Sequence, residues 1–154
     1  MSSAVEEQNK ALIRRWFEEV WNRGRLDLIA EMRSPEAIVT GLEDGNAESR
    51  GEKPFIRFYA TLREALPDLY LNIEDVIAEG DKVAVRITAE GTHKTEALGF
   101  PATHRKVRFS TMVMARISGG KIVQAWNLLD QLELLRQIGA LPPGMLRDNY
   151  LLAR

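Results

Sequence analysis

The chain has 154 residues, of which 45% are hydrophobic and 28% charged, and this length and composition predict a single globular domain over residues 1–154. Its 21 Lys and Arg residues balance 22 Asp and Glu residues, so no basic excess favours nucleic acid as a partner. Cysteine is absent, which excludes disulfides, thiol nucleophiles and thiolate metal sites, and two histidines exclude a three-histidine metal site. We therefore expect no metal and no cofactor. The polar N-terminus and the lack of a long apolar run predict a soluble cytoplasmic protein without a membrane partner.

Helical periodicity dominates the first part of the chain. Apolar residues recur at three- and four-residue spacing over residues 4–22 and again over 53–66, and a shorter helix is expected over 26–33. The short apolar run at 37–39 predicts an edge strand. Residues 42–51 are rich in Gly, Asp, Asn and Glu, which is typical of a loop.

The second part of the chain is typical of strands. Strands are predicted over 69–79, 82–92, 105–117 and 121–130, followed by a short helix over 131–138. Helices first and antiparallel strands afterwards predict an α+β fold, in which a cone-shaped, curved antiparallel sheet carries three N-terminal helices on its concave face. Such a cone leaves a hollow suited to a small molecule. The sheet face expected to meet the helices carries Val83, Val85, Ile87, Val107, Phe109, Val113 and Ile117.

Asp130 is the first candidate for chemistry. By strand parity it shares a mostly apolar face with Trp126 and Leu128, where burial would raise its pKa and make it a usable general base. The alternative is structural, because Asp130 directly precedes the predicted helix and Glu133 follows three residues later, as in a capping box. The pattern leaves both interpretations open.

The other candidates each have a structural alternative. His93 ends a strand, where it could polarise a carbonyl at the mouth of a pocket or simply bond a backbone group. His104 and Asp68 are more typical of an exposed turn. Aromatic side chains could form the pocket wall or plain core, and those we assign to substrate binding are Trp16, Phe17, Tyr59, Phe100 and Trp126.

Two stretches of sequence carry a family resemblance. Residues 91–109 read GTHKTEALGFPATHRKVRF, with Gly-Thr-His, Gly-x-Pro-x-Thr and Val-x-Phe in order, and residues 119–142 read GGKIVQAWNLLDQLELLRQIGALP. Together they resemble the SnoaL-like polyketide cyclase, or ester cyclase, family over about residues 9–142, which leaves 143–154 as a C-terminal extension. The resemblance implies a nuclear-transport-factor-2-like fold, usually dimeric, with a carboxylate in the last strand as acid/base, here Asp130. Gln124-Ala125 replaces the more polar pair of many members, and Thr103-His104 replaces their Thr-Gly.

The resulting functional hypothesis is a cofactor-independent cyclase of isomerase or lyase type. Asp130, helped by His93, would take a proton next to a carbonyl of a polyketide or related compound, and the enolate would close a ring by an intramolecular aldol reaction. The alternatives are a non-catalytic small-molecule binding protein, or a hydratase or ring-opening hydrolase that uses the same pocket. A homodimer is expected through the opposite sheet face, which carries Thr88, Ser110, Met112 and Met114.

Overall fold

One six-stranded sheet and four α-helices make up the fold, which the computed structural model describes for residues 3–43 and 47–142. The helices are α1 (Ala4–Arg15), α2 (Ile29–Met32), α3 (Lys53–Ala65) and α4 (Gln131–Gln137). The strands are β1 (Arg33–Thr40), β2 (Glu48–Arg50), β3 (Tyr70–Glu79), β4 (Lys82–Thr92), β5 (Lys106–Ser118) and β6 (Lys121–Leu129). The predicted α+β class and the helices on the concave face of a curved sheet are confirmed. The extension predicted for 143–154 lies outside the described residues.

The sheet has the order β2-β1-β6-β5-β4-β3 and is mixed, since β1 runs parallel to β6 while the other pairs are antiparallel. The expectation of a wholly antiparallel sheet with 37–39 at its edge is therefore wrong. Strand β1 is longer and internal, and the edge is β2, which lies within the segment predicted as a loop. Pro35 interrupts the ladder between β1 and β6, because proline has no N–H to donate, and this break disguises the strand in the sequence.

The first predicted helix spans 4–22 as expected but changes its geometry halfway. Helix α1 begins with a capping box formed by Ser3 and Glu6, and it continues from Trp16 to Asn22 as a π-helix. Gly24, in a left-handed conformation, follows the end of this π segment. The helix predicted over 26–33 is a 3₁₀ turn, Leu26–Leu28, followed by α2. None of the helices in the described part of the chain is long and apolar enough to cross a membrane.

The two faces of the sheet differ as the alternation in the sequence predicts. On the concave face Val83, Val85, Ile87 and Phe109 are buried against the helices. On the convex face the apolar side chains are left uncovered, with Met112 53% exposed, Met114 43% and Leu128 73%.

A bulge in β6 decides which of its residues face the helices. Ile117 pairs with Ile122 but Arg116 pairs with Gln124, so Val123 is an extra residue in this strand. Because side chains alternate, the insertion reverses the facing of everything beyond it. Residues 125, 127 and 129 therefore point to the concave side, and Trp126 and Leu128 lie on the convex side.

Candidate functional site

A cavity lies between the concave face of the sheet and the helices, and most of the residues that line it are apolar. Helical side chains form one wall: Ile13, Trp16, Phe17, Trp21, Phe55, Phe58 and Leu62. Strand and loop side chains form the other: Arg33, Val39, Leu42, Leu69, Leu71, Ala89, Phe109, Thr111, Val113, Ala115, Ile122, Ala125, Asn127 and Leu129.

Aromatic side chains of the π-helical segment form much of the helical wall. This segment carries Trp16, Phe17 and Trp21, all buried, and Phe55 of α3 packs against both tryptophans with ring centroids 5.0 and 5.6 Å away. Ring contacts of this kind fix the side chains beyond what burial alone does. The helical wall is therefore a rigid aromatic surface.

Arg33 is the only ionisable side chain that lines the cavity among the described residues. It is 4% exposed, it stands where β1 begins beside Ile122, and its guanidinium lies 5.7 Å from the centre of the Phe55 ring. Its Nη2 donates to the Gly51 carbonyl oxygen at 2.6 Å, whereas its Nε is buried without a partner in the described part of the chain. Burial lowers the pKa of Arg33, and the nearby charge of Glu52 opposes that shift.

Two polar side chains occupy the other end of the cavity. Thr111 Oγ1 donates to the Leu128 carbonyl oxygen at 3.1 Å, and Asn127 Nδ2 donates to the Thr40 carbonyl oxygen at 3.3 Å. Both are partly exposed, as is the neighbouring Leu129, while the lining around Arg33 is buried. The mouth therefore lies near Thr111 and Asn127, and the cation lies at the closed end.

Asp130 does not face this cavity. Its carboxylate accepts a hydrogen bond from the Glu133 backbone N–H at 3.2 Å and caps α4, and the residue is exposed and absent from the lining. The expectation that it points inward beside Trp126 is wrong, because the bulge at Val123 reverses the parity on which it rested. The capping interpretation describes its position.

His93 is fully buried, but away from the cavity lining rather than at its mouth. Its Nδ1 accepts from the Thr103 N–H at 3.3 Å and lies 3.0 Å from Thr103 Oγ1. Its main chain bonds Arg105 and His104, so the ring is held inside the loop that joins β4 to β5. This arrangement matches the structural alternative for His93.

The predicted aromatic wall is only partly assembled at the cavity. Trp16 and Phe17 lie in the lining, and Tyr59 packs behind it against Trp21 at a centroid distance of 5.1 Å. Phe100 lies in the β4–β5 loop and Trp126 on the convex face, opposite Met114. Neither lines the cavity.

Sequence reasoning missed all three polar residues of the lining. Thr111 was detectable, since it interrupts the inward apolar series of β5 between Phe109 and Val113. Asn127 was hidden by the bulge in β6. Arg33 was hidden because it follows a short helix and precedes Ser34-Pro35, where no periodicity assigns it a face.

A curved sheet that holds a deep apolar cavity against its helices defines a small-molecule pocket protein of the nuclear-transport-factor-2-like fold. The family model "SnoaL-like polyketide cyclase" matches residues 11–138. The chain therefore belongs to the SnoaL-like polyketide cyclase family.

Individual relatives agree with this assignment. Aklanonic acid methyl ester cyclase DnrD of Streptomyces peucetius is 30% identical over 130 residues, which cover 83% of this chain and 88% of that protein. The structure of a proposed SnoaL-like polyketide cyclase from Jannaschia sp. CCS1 superposes with a TM-score of 0.82 at 27% identity, over 92% of this chain and 99% of that one. AclR of Streptomyces galilaeus, a proposed hydroxylase, superposes with a TM-score of 0.79 at 29% identity, over 89% and 88%.

Proposed function

We propose that the chain is a cyclase that closes a ring in a polyketide-derived ester by an intramolecular aldol reaction, without a cofactor. The proposal rests on an apolar cavity with an aromatic wall in a chain that is 30% identical to an aklanonic acid methyl ester cyclase. The aromatic rings of a polyketide are flat and can stack against the wall formed by Trp16, Trp21 and Phe55.

The reaction rearranges bonds without changing the formula of the molecule. A carbon next to a carbonyl loses a proton, its electron pair forms a bond to a second carbonyl carbon of the same chain, and the oxygen of that carbonyl takes up a proton. A rigid pocket accelerates such a step by holding the two carbons in contact and by excluding water. Both effects depend on the packed wall of the cavity, which holds the substrate and keeps water out.

The proton acceptor is the open part of this proposal. Asp130 stays a hypothesis for that role, and its place at the cap of α4, outside the lining, gives no support to it. His93 stays a hypothesis in the same way, since it is buried outside the lining.

The test uses purified protein and aklanonic acid methyl ester, followed by liquid chromatography and mass spectrometry. Cyclisation predicts a new peak with the mass of the substrate, formed faster than in buffer alone. A matched control is the same amount of protein unfolded by heat. An unchanged rate with this ester and with related β-keto esters would contradict the proposal.

A second candidate is a protein that binds such molecules without turning them over. It is favoured by one observation, which is that the described lining holds no Asp, Glu, His, Lys or Tyr that could exchange a proton with a ligand. Tight binding of the ester, by titration of the tryptophan fluorescence, without any isobaric product would support this candidate over the first.

We also propose that the convex sheet face forms a homodimer in the cytoplasm. Met112, Met114 and Leu128 leave an apolar surface of neighbouring strands uncovered, which is unusual for a free sheet. Sedimentation at micromolar concentration should give twice the mass of one chain. A Leu128→Lys variant should shift the protein toward the monomer, and a wild-type monomer would contradict this expectation.

A further inference from the structure

A buried cation without a salt bridge lies at the closed end of the cavity, with Glu52 as the nearby opposite charge. Arg33 is 4% exposed, and no Asp or Glu of the described residues forms a salt bridge with it. An unpaired buried charge is destabilising, and an apolar side chain would fill the same place at less cost.

A second buried arginine provides a comparison. Arg63 donates from Nη1 to the Leu69 carbonyl oxygen at 2.6 Å and from Nη2 to the carbonyl oxygen of Trp21, so it ties α3 to two other segments. Arg33 donates only to Gly51, through Nη2, and its Nη1 has no partner among the described residues. The Nε of each arginine is buried without a partner in the described part of the chain, so the two side chains differ at the Nη atoms: both Nη atoms of Arg63 donate to the main chain, whereas only Nη2 of Arg33 does.

The unused donors are held in place. The bond from Nη2 to Gly51 fixes one side of the guanidinium, and the ring of Phe55 lies 5.7 Å from its carbon Cζ. A cation that is fixed, desolvated and in an apolar cavity binds an anionic oxygen much more strongly than an exposed one does.

The length and lining of the cavity indicate what kind of ligand it can hold. Thr111 at the mouth and Ala115 near the closed end are four residues apart on β5, which corresponds to about 13 Å. The walls between them are mostly apolar, and one of them is formed by the rings of Trp16, Trp21 and Phe55. A flat aromatic body can lie against these rings and place one end against Arg33.

We propose that Arg33 binds an anionic oxygen, carried as a carboxylate, phenolate or enolate by a flat aromatic ligand that fills the cavity. This inference deepens the proposed function, since it names the class of molecule that the same pocket takes.

The test compares two ligands that share one skeleton. Anthracene-2-carboxylate and anthracene-2-carboxamide are titrated against the full chain by fluorescence, and the carboxylate is expected to bind at least about tenfold more tightly. A second arm uses 2-hydroxyanthraquinone, whose colour reports its ionisation, and its midpoint pH should fall by about one unit or more in the complex. Equal affinity for the two anthracenes together with an unshifted midpoint would overturn the proposal.

Variants of Arg33 test whether this residue is the cause of the preference for the carboxylate. Arg33→Met should weaken the carboxylate about tenfold and change the carboxamide by less than about twofold, and Arg33→Lys should restore part of the preference. The matched control is Arg86→Met, because Arg86 lies on the convex face in an exposed pair with Asp75, and it should change neither affinity. An equal loss for both anthracenes in a folded Arg33→Met variant would contradict the assignment to Arg33.

These binding measurements do not depend on turnover. A protein that prefers the carboxylate but forms no cyclised product would retain the Arg33 site and lose the proposed function. A protein that cyclises the ester without preferring the carboxylate would retain the function and lose the Arg33 site. If Arg33→Met does not fold, the preference of the wild-type chain and the Arg33→Lys variant decide the question.

Discussion

Replacing Asp130 separates a structural role from a chemical one. Asp130 Oδ1 accepts a single hydrogen bond of 3.2 Å from the Glu133 N–H at the start of the seven-residue helix α4. Asp130→Ala removes this cap and should cost about 1 kcal/mol of unfolding free energy. Asp130→Asn keeps the cap and loses only the interaction of the charge with the helix dipole, about 0.5 kcal/mol.

Thermal unfolding followed by circular dichroism measures the stability of both Asp130 variants. For a domain of this size about 1 kcal/mol corresponds to a fall of roughly 2–4 °C in the midpoint for Asp130→Ala, with a smaller change for Asp130→Asn. Cyclisation by the two variants should match that of the wild type at a temperature where all three are folded. The reasoning would be refuted by an Asp130→Asn protein that is as stable as expected but loses about 10² or more in rate, the scale of general-base catalysis.

Two further predictions concern the close approach of Gly41 to Asn127 at the mouth of the cavity and the stability of α4 in acid. A Cβ at Gly41, where φ is +93°, would lie 2.2 Å from the Asn127 carbonyl oxygen, so Gly41→Ala should destabilise by about 3 kcal/mol in urea unfolding. Gly80→Ala, also at positive φ but with nothing within 4 Å, is the matched control and should cost about 1 kcal/mol; equal losses would contradict the steric argument. Hydrogen bonds to its carboxylate, the most effective of them from Arg136, lower the pKa of Glu133 from 4.5 to about 2. These bonds therefore stabilise the folded chain fully above pH 4.5, and this stabilisation is lost as the pH falls towards 2. In Glu133→Gln the melting temperature should fall less steeply over that pH range than in the wild type. An equally steep fall would contradict a stabilising interaction between Glu133 and Arg136.

The fold could be predicted largely because its signals are local. The alternation along β4 and β5 and the helical periodicity of 4–22 and 53–66 each assign one buried face, and the structure has those faces. The position of β1 was beyond such reasoning. Its parallel pairing with β6 joins residues about 90 positions apart, and no local pattern specifies that partner.

The candidate site was harder to predict, because it depends on two irregularities in the sheet. One extra residue in β6 moves Asn127 inward and Trp126 outward, so a parity argument carried across Val123 gave the opposite face. The break in the β1–β6 ladder between Arg33 and Ile38 hides the strand that carries Arg33.

If ring closure takes place in the cavity on the concave face, a side chain that fills the cavity should abolish it. Ala125 lies in the lining and is 8% exposed, whereas Ala84 alternates with buried residues of β4 and faces the convex side. Ala125→Phe and Ala84→Phe add the same side chain to opposite faces of one sheet. With aklanonic acid methyl ester as the substrate, we expect folded Ala125→Phe to lose nearly all cyclisation while Ala84→Phe retains it. Undiminished cyclisation by folded Ala125→Phe would mean that ring closure takes place outside this cavity.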